Sequence, residues 1–251
     1  MNILIVGYGE VGRSMHEVIK EKKPKWKVGY IDVDDQLIPF KGSADVMHVC
    51  INYDAGFNYK VKKYIKKYDP NLVIINSTVK VGTSRTIHND TKANIVHVPI
   101  FGVHPKLAEG IKTFTCMIGC ANLDAHSIAT KYYSDLGLEY RKVDRAATTE
   151  LGKLLSTTTY GIYIEWHRQL KEICDTYGVP FQIAITEFTK NYNEGYGKLD
   201  MKKFIRPILT PPKGKIGGHC INPNAKILYD EIYQIPYLRH LVQNNEIQKD
   251  E

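Results

Sequence analysis

The sequence predicts an α/β fold: a doubly wound parallel sheet followed by a smaller all-helical domain built on one long helix. Up to about residue 143, short apolar runs rich in Val and Ile alternate with amphipathic stretches, as buried parallel strands alternate with the helices that connect them. After about residue 145 the strands stop, and a helical stretch of about 30 residues begins. At a rise of roughly 1.5 Å per residue, this helix is long enough to form the spine of a second domain.

The predicted strands occupy the first part of the chain. They are residues 2–6, 27–32, 46–51, 71–78, 94–100 and 113–119. Amphipathic stretches at 57–68 and 123–136 lie between these runs and are expected to be helices. We therefore place the first domain at 1–145, the helical domain at 146–240 and a polar tail at 241–251.

The long helix is predicted over 147–178, where Gly178 and the following Pro180 end it. Apolar residues at helical spacing predict its buried stripe, which comprises Leu151, Leu155, Ile162 and Trp166. Shorter helices are expected near 181–192, 200–206 and 223–240.

Charge and composition narrow the function classes. The formal charge of +7 comes from lysines scattered in short groups, which favours a small anionic ligand over nucleic acid. No apolar run approaches the roughly 20 residues that span a bilayer, and the start of the chain lacks the features of a signal peptide, so we expect a cytoplasmic protein. The five cysteines include no C-x-x-C pair, which argues against a disulfide framework or a cysteine zinc site. We expect no metal, and four of these cysteines are predicted to fill the core: Cys50, Cys116, Cys120 and Cys174.

A glycine motif follows the first predicted strand. Gly7, Gly9 and Gly12 form G-x-G-x-x-G ahead of a helix, and Asp32 ends the next strand about 20 residues later. In a dinucleotide-binding turn these glycines allow the tight turn, the approach of the pyrophosphate and close helix packing, while the carboxylate takes the ribose hydroxyls. The motif therefore predicts a Rossmann-type domain. Asp34 and Asp35 follow without a nearby arginine, which favours NAD over NADP.

Two stretches offer groups for chemistry. Lys153 and Thr157 are four residues apart on the long helix and share a face that continues to Gly161, where a ligand could approach; a helix lysine that points into water is the alternative. Cys220 follows two glycines and His219, with lysines upstream. Nearby cations and N–H dipoles activate a thiol, and a buried structural cysteine is the alternative.

Four segments in this order resemble the UDP-glucose/GDP-mannose dehydrogenase family. They are "GYGEVG", "NSTVKVGTSRTI", "ELGKLLSTTTYG" and "GKIGGHCINPN", and the likeness covers residues 1 to about 228. The resemblance implies an NAD-dependent enzyme that oxidises a sugar primary alcohol twice. The aldehyde is held as a cysteine thiohemiacetal, which then becomes a thioester that water cleaves.

The resemblance also implies roles for individual residues. Cys220 would be the nucleophile, Lys153 would stabilise the developing oxyanion or move a proton, and Thr78 would lie near the nicotinamide and the catalytic water. The cofactor-binding residues would be Gly7, Gly9, Glu10, Val11, Gly12, Asp32, Asn52 and Thr78. Substrate-binding residues would be Arg206, Gly217, Gly218 and His219.

Three positions depart from the family pattern. Thr157 stands where the family has asparagine, Asn224 where it has aspartate, and Pro105 where it has a catalytic glutamate. Two carboxylates are therefore missing, which leaves the activation of water for the hydrolytic half of the reaction open. Thr157 and Asn224 remain candidate catalytic residues.

The resemblance further implies a third, nucleotide-binding domain, which the sequence lacks: only about 28 residues follow the cysteine loop, too few for a domain. We expect a truncated member that forms a homodimer through its helical domain. Two other functions stay open. One is a single-step dehydrogenase for small hydroxy acids, since the chain also resembles the β-hydroxyacid dehydrogenase group; the other is an NAD-binding protein without catalysis.

Overall fold

The computed structural model describes residues 1–32, 40, 42–103, 105–216 and 220–248. The chain divides into two compact units, Met1–Lys153 and Leu154–Glu251. The sequence boundary at 145/146 lies before the long helix, whereas this division lies inside it.

The first unit contains a seven-stranded sheet in the order β2-β1-β3-β4-β5-β6-β7. Its strands are β1 (Asn2–Val6), β2 (Lys27–Ile31), β3 (Val46–Val49), β4 (Leu72–Ile75), β5 (Ile95–His97), β6 (Cys116–Cys120) and β7 (Tyr140–Val143). The α/β fold class is confirmed, although β6 pairs antiparallel with β5 and β7 follows the direction of β6. The sequence could not reveal this reversal, because a short buried apolar run has the same pattern in either direction.

In the part of the first unit that the structure describes, five helices accompany the sheet: α1 (Glu10–Lys22), α2 (Phe57–Tyr68), α3 (Thr83–Thr91), α4 (Leu107–Thr113) and α5 (Leu123–Leu136). The bounds predicted for α2 and α5 are confirmed. The residues of β1 alternate between two apolar clusters, with Ile3 and Ile5 in one and Leu4 and Val6 in the other. This alternation means that both faces of the sheet are covered, as a doubly wound fold requires.

The strand order positions a ligand crevice. The chain places β2 on one side of β1 and β3 on the other, and β1 to β5 run parallel. Ligands of such sheets bind outside the carboxyl ends of the strands where the order reverses. Strands β1, β2, β3 and β4 all end at this edge.

The long helix α6 (Ala146–Thr176) starts and ends close to the predicted bounds. Gly178 follows it with a φ of +65°, a left-handed conformation that favours glycine after a helix. In the second unit, a π-helical segment at Gln182–Glu187 leads into α7 (Phe188–Lys198), and a short 3₁₀ turn occupies Lys202–Phe204.

The single helix predicted at 223–240 is two helices, α8 (Ile221–Ile232) and α9 (Pro236–Ile247). Pro236 takes the first position of α9, where its missing N–H is tolerated, whereas inside a helix it would break the chain of hydrogen bonds. The tail predicted at 241–251 is also wrong in part. Leu241, Val242 and Asn245 are buried residues of α9.

The stripe predicted on α6 is wrong. Leu151, Leu155 and Trp166 expose 38%, 46% and 48% of their surface, and Ile162 is only half-buried. The covered side instead carries Gly161, because an added Cβ there would lie 2.5 Å from Ile221 Cγ2 and 3.1 Å from Leu241 Cδ2. Gly161, rather than the large apolar residues of α6, marks the side on which α8 and α9 pack. The helix face that carries Lys153 and Thr157 therefore ends, at Gly161, in a packing contact and not in open space for a ligand.

The burial of the cysteines agrees with a further expectation. Cys116, Cys120 and Cys174 are buried, Cys50 is partly buried against a core cluster, and Cys220 is exposed. Within the described residues, no helix combines the length and the apolar character needed to cross a bilayer.

Candidate functional site

The glycine turn after β1 has three distinct local environments. Gly7 has a φ of +92°, and an added Cβ would lie 2.8 Å from the Cys50 carbonyl group, so only glycine fits. A Cβ on Gly12 would lie 2.0 Å from the Gly7 carbonyl oxygen. At Gly9, by contrast, no heavy atom of the described residues lies within 4 Å of the added Cβ. Gly7 and Gly12 are therefore needed by the protein itself, whereas Gly9 leaves open space.

The start of α1 borders this space. Glu10 and Val11 open the helix, and its first intrahelical hydrogen bond runs from the Arg13 N–H to the Gly9 carbonyl oxygen (2.9 Å). The N–H groups of a first helical turn have no acceptor inside the helix, and together with the helix dipole they favour an anion. The turn thus presents polar donors beside an uncovered glycine, as a pyrophosphate site does.

Asp32 lies directly after β2 and is fixed to the glycine turn. Its Oδ2 accepts a hydrogen bond from the Tyr8 N–H at 2.7 Å. The Tyr8 ring stacks on Tyr30, with centroids 3.6 Å apart and planes 11° from parallel, and its hydroxyl lies 2.6 Å from His16 Nδ1. Tyr8, which the sequence motif treats as a variable position, therefore orients the carboxylate. Asp34 and Asp35 lie outside the described residues.

Asn52 and Thr78 lie in the loops after β3 and β4, at the same edge of the sheet as the glycine turn. Asn52 is exposed and Thr78 is half-buried. Ser77 joins the two loops, since its hydroxyl donates to the Ile51 carbonyl oxygen at 2.6 Å. The edge therefore carries both residues as well as the glycine turn.

Lys153 lies at the same edge rather than pointing into water. Its Nζ donates to the Ile100 carbonyl oxygen at 2.8 Å and lies 5.0 Å from the centre of the Phe101 ring. Both contacts are in the loop after β5, so α6 delivers an ammonium group to the carboxyl end of the sheet. A cation over an aromatic face is held electrostatically.

Sequence reasoning missed two buried ionisable residues near this ammonium group. Glu150 lies one helical turn before Lys153, and its carboxylate contacts the N-terminus of α3. His97 ends β5; its Nε2–H donates to the Ser77 carbonyl oxygen (3.2 Å), and its Nδ1 accepts from the Thr149 hydroxyl (2.9 Å). Burial, aided by the charge of Lys153, lowers the pKa of His97 to about 3. A histidine inside an apolar strand run was the only sequence signal for it.

The second unit holds the other candidate catalytic residues. Cys220 is exposed and occupies the N-cap position of α8. Asn224, one turn further on, is buried and donates from Nδ2 to the Thr157 hydroxyl at 3.1 Å. The structure thus joins Thr157 and Asn224, the two residues that depart from the family pattern. Neither side chain is a carboxylate.

The segment before Cys220 is anchored by two asparagines that the sequence reading did not single out. Asn245 of α9 accepts the Ile216 N–H at Oδ1 (2.6 Å), and Asn222 donates to the Ile216 carbonyl oxygen (2.9 Å). These contacts fix the chain immediately ahead of the glycine pair. Gly217, Gly218 and His219 themselves lie outside the described residues.

Arg206 and Pro105 are both exposed. The guanidinium carbon of Arg206 lies 3.6 Å from the centre of the Tyr192 ring, and Asn193 hydrogen-bonds the backbone N–H and carbonyl group of Arg206 at 2.9 Å each. Arg206 is therefore held on α7 within the second unit. Pro105 lies in the turn before α4, so the position of the family's glutamate carries no acid or base here.

Comparison with known proteins identifies the fold. No protein-family model matches the sequence, and no curated protein matches it. Among solved structures, the UDP-D-ManNAc dehydrogenase of Pyrococcus horikoshii matches with a TM-score of 0.79 at 18% identity, over 98% of this chain and 68% of that one. The chain shares the fold of this structure.

Two further structures extend this likeness across two substrate classes. The UDP-glucose dehydrogenase of Pyrobaculum islandicum matches with a TM-score of 0.68 at 14% identity, over 98% of this chain and 68% of that one. The 3-hydroxyisobutyrate dehydrogenase of Mycobacterium tuberculosis matches with a TM-score of 0.70 at 14% identity, over 98% of this chain and 92% of that one. At these identities the likeness extends to the fold alone.

Proposed function

We propose that this protein is an NAD-dependent oxidoreductase that oxidises a CH–OH group of a small anionic substrate, with a sugar nucleotide as the first candidate. The observation that carries the proposal is the position of the Lys153 ammonium group. It lies against the loop after β5, at the sheet edge that also bears the glycine turn and Asp32. Dehydrogenases on this fold resemble the chain over nearly its whole length.

The residues present fit NAD. Gly9 leaves room for a pyrophosphate, the first turn of α1 offers N–H donors, and Asp32 is held where ribose hydroxyls bind. A fixed carboxylate repels the 2′-phosphate of NADP, which favours NAD. Bound there, NAD supplies the hydride acceptor for oxidation of the substrate.

Lys153 would act on the oxygen of the reacting carbon. A positive charge held at a fixed place stabilises the negative charge that develops as the alcohol proton leaves, and it needs no reorganisation at that moment. Thr78, in the loop after β4, would contribute a hydroxyl on the same side. We expect both residues to contact the substrate rather than to stabilise the fold.

Cys220 would carry the second oxidation in a sugar-nucleotide enzyme. Its thiolate would add to the aldehyde carbon while the carbonyl oxygen takes a proton. Loss of a hydride to a second NAD, together with loss of the hydroxyl proton, would convert this thiohemiacetal to a thioester. Water would then release the acid and the free thiol. The exposure of Cys220 at the start of α8 supports this role, since a reagent can reach the sulfur.

A second candidate is a one-step dehydrogenase of small hydroxy acids. The likeness to 3-hydroxyisobutyrate dehydrogenase favours it. The hydrogen-bonded pair of Thr157 and Asn224 favours it as well, because neither side chain can take a proton from the water that a thioester route needs. In this reaction Lys153 remains essential and Cys220 has no chemical role.

Two variants separate these functions. With UDP-sugars and 3-hydroxy acids as substrates and NADH absorbance as the signal, Lys153→Ala should lower kcat by at least about 100-fold in either case. Cys220→Ser should abolish acid formation only in the thioester route, with the Kd for NAD unchanged. Lys171→Ala, an exposed lysine on the same helix, is the control and should retain full turnover.

The outcomes decide between the candidates. Full activity of Cys220→Ser on a hydroxy acid identifies the one-step enzyme. Full activity of Lys153→Ala contradicts the proposed function altogether. If NAD raises the melting temperature and no alcohol produces NADH, the protein binds the cofactor without catalysis.

We also infer that the protein is a homodimer formed through its second unit. In Gln182–Glu187 and α7, all of which the structure describes, no residue is buried. A helix without a covered face gains little from packing and is marginal in water. The part of α6 that belongs to the second unit also exposes large apolar residues: Leu155, Tyr160, Tyr163, Trp166 and Ile173. A second copy would cover these surfaces.

A charge on this surface should separate the copies. We expect a light-scattering mass of two chains for the wild type and of one chain for Trp166→Glu, because an interface core excludes an unpaired carboxylate. Tyr59→Glu, at an aromatic residue of α2 that is more exposed than Trp166 (71% against 48%), is the control and should stay dimeric. A wild-type mass of one chain would refute the inference.

A further inference from the structure

We propose that Glu150 is a positioning residue: it holds the loop that carries Thr78 and the helix that carries Lys153 in one arrangement. The inference rests on the proposed function, because it concerns the reaction that Lys153 serves. It assigns a task to a buried carboxylate that does not itself reach the substrate.

The Glu150 side chain caps a helix from a distance in sequence. Its Oε2 accepts the Gly82 N–H (2.6 Å), and its Oε1 accepts both the N–H (2.9 Å) and the hydroxyl (2.6 Å) of Ser84. Gly82 is the N-cap of α3 and has a φ of +91°, so it offers no side chain for this purpose. Glu150 therefore supplies, from α6, the cap that α3 lacks.

The capped segment is the end of the loop that bears Thr78. The start of the same loop is tied to α6 as well, since Ser77 accepts from His97 and His97 accepts from the Thr149 hydroxyl. Both ends of the loop are thus bound, at 77 and at 82–84, to neighbouring residues of one helix. The loop that bears Thr78 cannot shift as a whole relative to the start of α6 without breaking these bonds.

The same helical turn sets the position of Lys153. It lies three residues after Glu150 and four after Thr149, and residues at these spacings share one face of a helix. Its ammonium group reaches the Ile100 carbonyl oxygen at 2.8 Å. A shift of α6 against the loop would therefore change the separation between the Thr78 hydroxyl and the Lys153 ammonium group.

The burial of Glu150 argues for a specific task. The side chain is fully buried, with 0% of its surface exposed. Burial raises the pKa of Glu150, while the hydrogen bonds from Ser84 and Gly82 oppose this rise. An apolar residue would fill the same space without the cost of desolvating a carboxylate. An apolar residue, however, could not accept the hydrogen bonds that hold α6 and the loop before α3 in a fixed geometry.

The test is a double-mutant cycle with Lys153. Gln at position 150 keeps the volume but offers one acceptor oxygen and places an NH₂ group against N–H donors. We expect Glu150→Gln to lower kcat about 10- to 100-fold, as a misplacement near 1 Å can do, with the Kd for NAD unchanged. In the Lys153→Ala background the same change should cost less than about twofold, because the group that it positions is gone.

Controls separate positioning from folding. Glu172→Gln, at an exposed glutamate of the same helix, should leave kcat unchanged. If Glu150→Gln does not fold, Ser84→Ala is used in the cycle, since it removes one of the hydrogen bonds and leaves the carboxylate in place; a smaller loss of kcat, again absent without Lys153, supports the proposal. Equal losses in both backgrounds, or full activity of a folded Glu150→Gln, overturn it.

Hydrogen exchange distinguishes failure of this inference from failure of the proposed function. Even if the wild type oxidises no alcohol, the amides of Gly82 and Ser84 should exchange at least about 10-fold faster in Glu150→Gln than in Glu172→Gln, because their acceptor is lost. Unchanged exchange at both amides overturns the positioning role regardless of the reaction.

Discussion

Gly12→Ala is expected to lower the free energy of unfolding by about 3 kcal/mol and to abolish NAD binding. The added Cβ would lie 2.0 Å from the Gly7 carbonyl oxygen and 3.0 Å from its carbon. These are backbone atoms, so relief requires α1 to move away from β1, at the high end of the cost of overpacking. Urea unfolding and calorimetric titration with NAD measure the two effects.

Gly9→Ala is the matched variant, and its effect should fall on binding alone. Gly9 has a φ of −68°, which alanine adopts readily, and no heavy atom of the described residues lies within 4 Å of the new methyl group. Unfolding should change by less than about 0.5 kcal/mol. NAD should bind at least about 10-fold more weakly, because the methyl group occupies the path of the pyrophosphate. Wild-type affinity in Gly9→Ala would exclude this turn as the dinucleotide site.

Acidification from pH 6.5 to pH 4 is expected to remove about 3 kcal/mol of stability for each of two buried histidines. Burial lowers the pKa of His48 to about 4 and that of His97 to about 3, from an ordinary value of 6.5. Below pH 6.5 the unfolded chain therefore takes up protons that the folded protein does not, and each pKa unit is worth about 1.4 kcal/mol. The stability that depends on each neutral histidine is therefore fully present above pH 6.5 and is lost as the pH falls toward the pKa of the folded state.

The hydrogen bonds explain why both imidazoles stay neutral. His48 Nδ1–H donates to Asn76 Oδ1 and its Nε2 accepts from the Tyr132 hydroxyl, each at 2.8 Å. His97 likewise donates from one nitrogen and accepts at the other. A second proton would place a hydrogen where a hydroxyl already donates, in a buried site.

Urea unfolding at several pH values tests this expectation. Between pH 4 and pH 6.5, His48→Gln should reduce the slope of unfolding free energy against pH by up to about 1.4 kcal/mol per unit. Gln retains one donor and one acceptor, which limits the direct loss of stability. A slope equal to that of the wild type would show that His48 is not the group responsible, and the same measurement applies to His97→Gln.

Sequence patterns predicted the elements whose signals are local. The bounds of α2 and α5 follow from amphipathic spacing, and the alternation of β1 between two core clusters follows from an apolar run with both faces covered. The glycine turn was predictable for the same reason. Its requirements concern the backbone of a few consecutive residues, and the position of Asp32 depends only on the length of one strand–helix–strand unit.

Tertiary structure decided which elements pack against each face of a helix or strand. Leu151, Leu155 and Trp166 have the spacing of a buried stripe, yet they are exposed, and Gly161 marks the covered side instead. The direction of β6 was equally hidden. Periodicity identifies which side chains gain from burial, but it contains no information on which neighbouring helix arrives or from which side.

The sequence by itself determined the fold class, the glycine turn with its carboxylate, and the residue types available for chemistry. Tertiary structure alone decided that Glu150 caps α3, that His97 bridges Ser77 to Thr149, and that Asn224 bonds to Thr157. The physical reason is the sequence separation over which each kind of interaction acts. Backbone conformation and amphipathicity act over one or two turns of chain, whereas these contacts join residues that are about 20 to 70 positions apart and form only once the chain has packed.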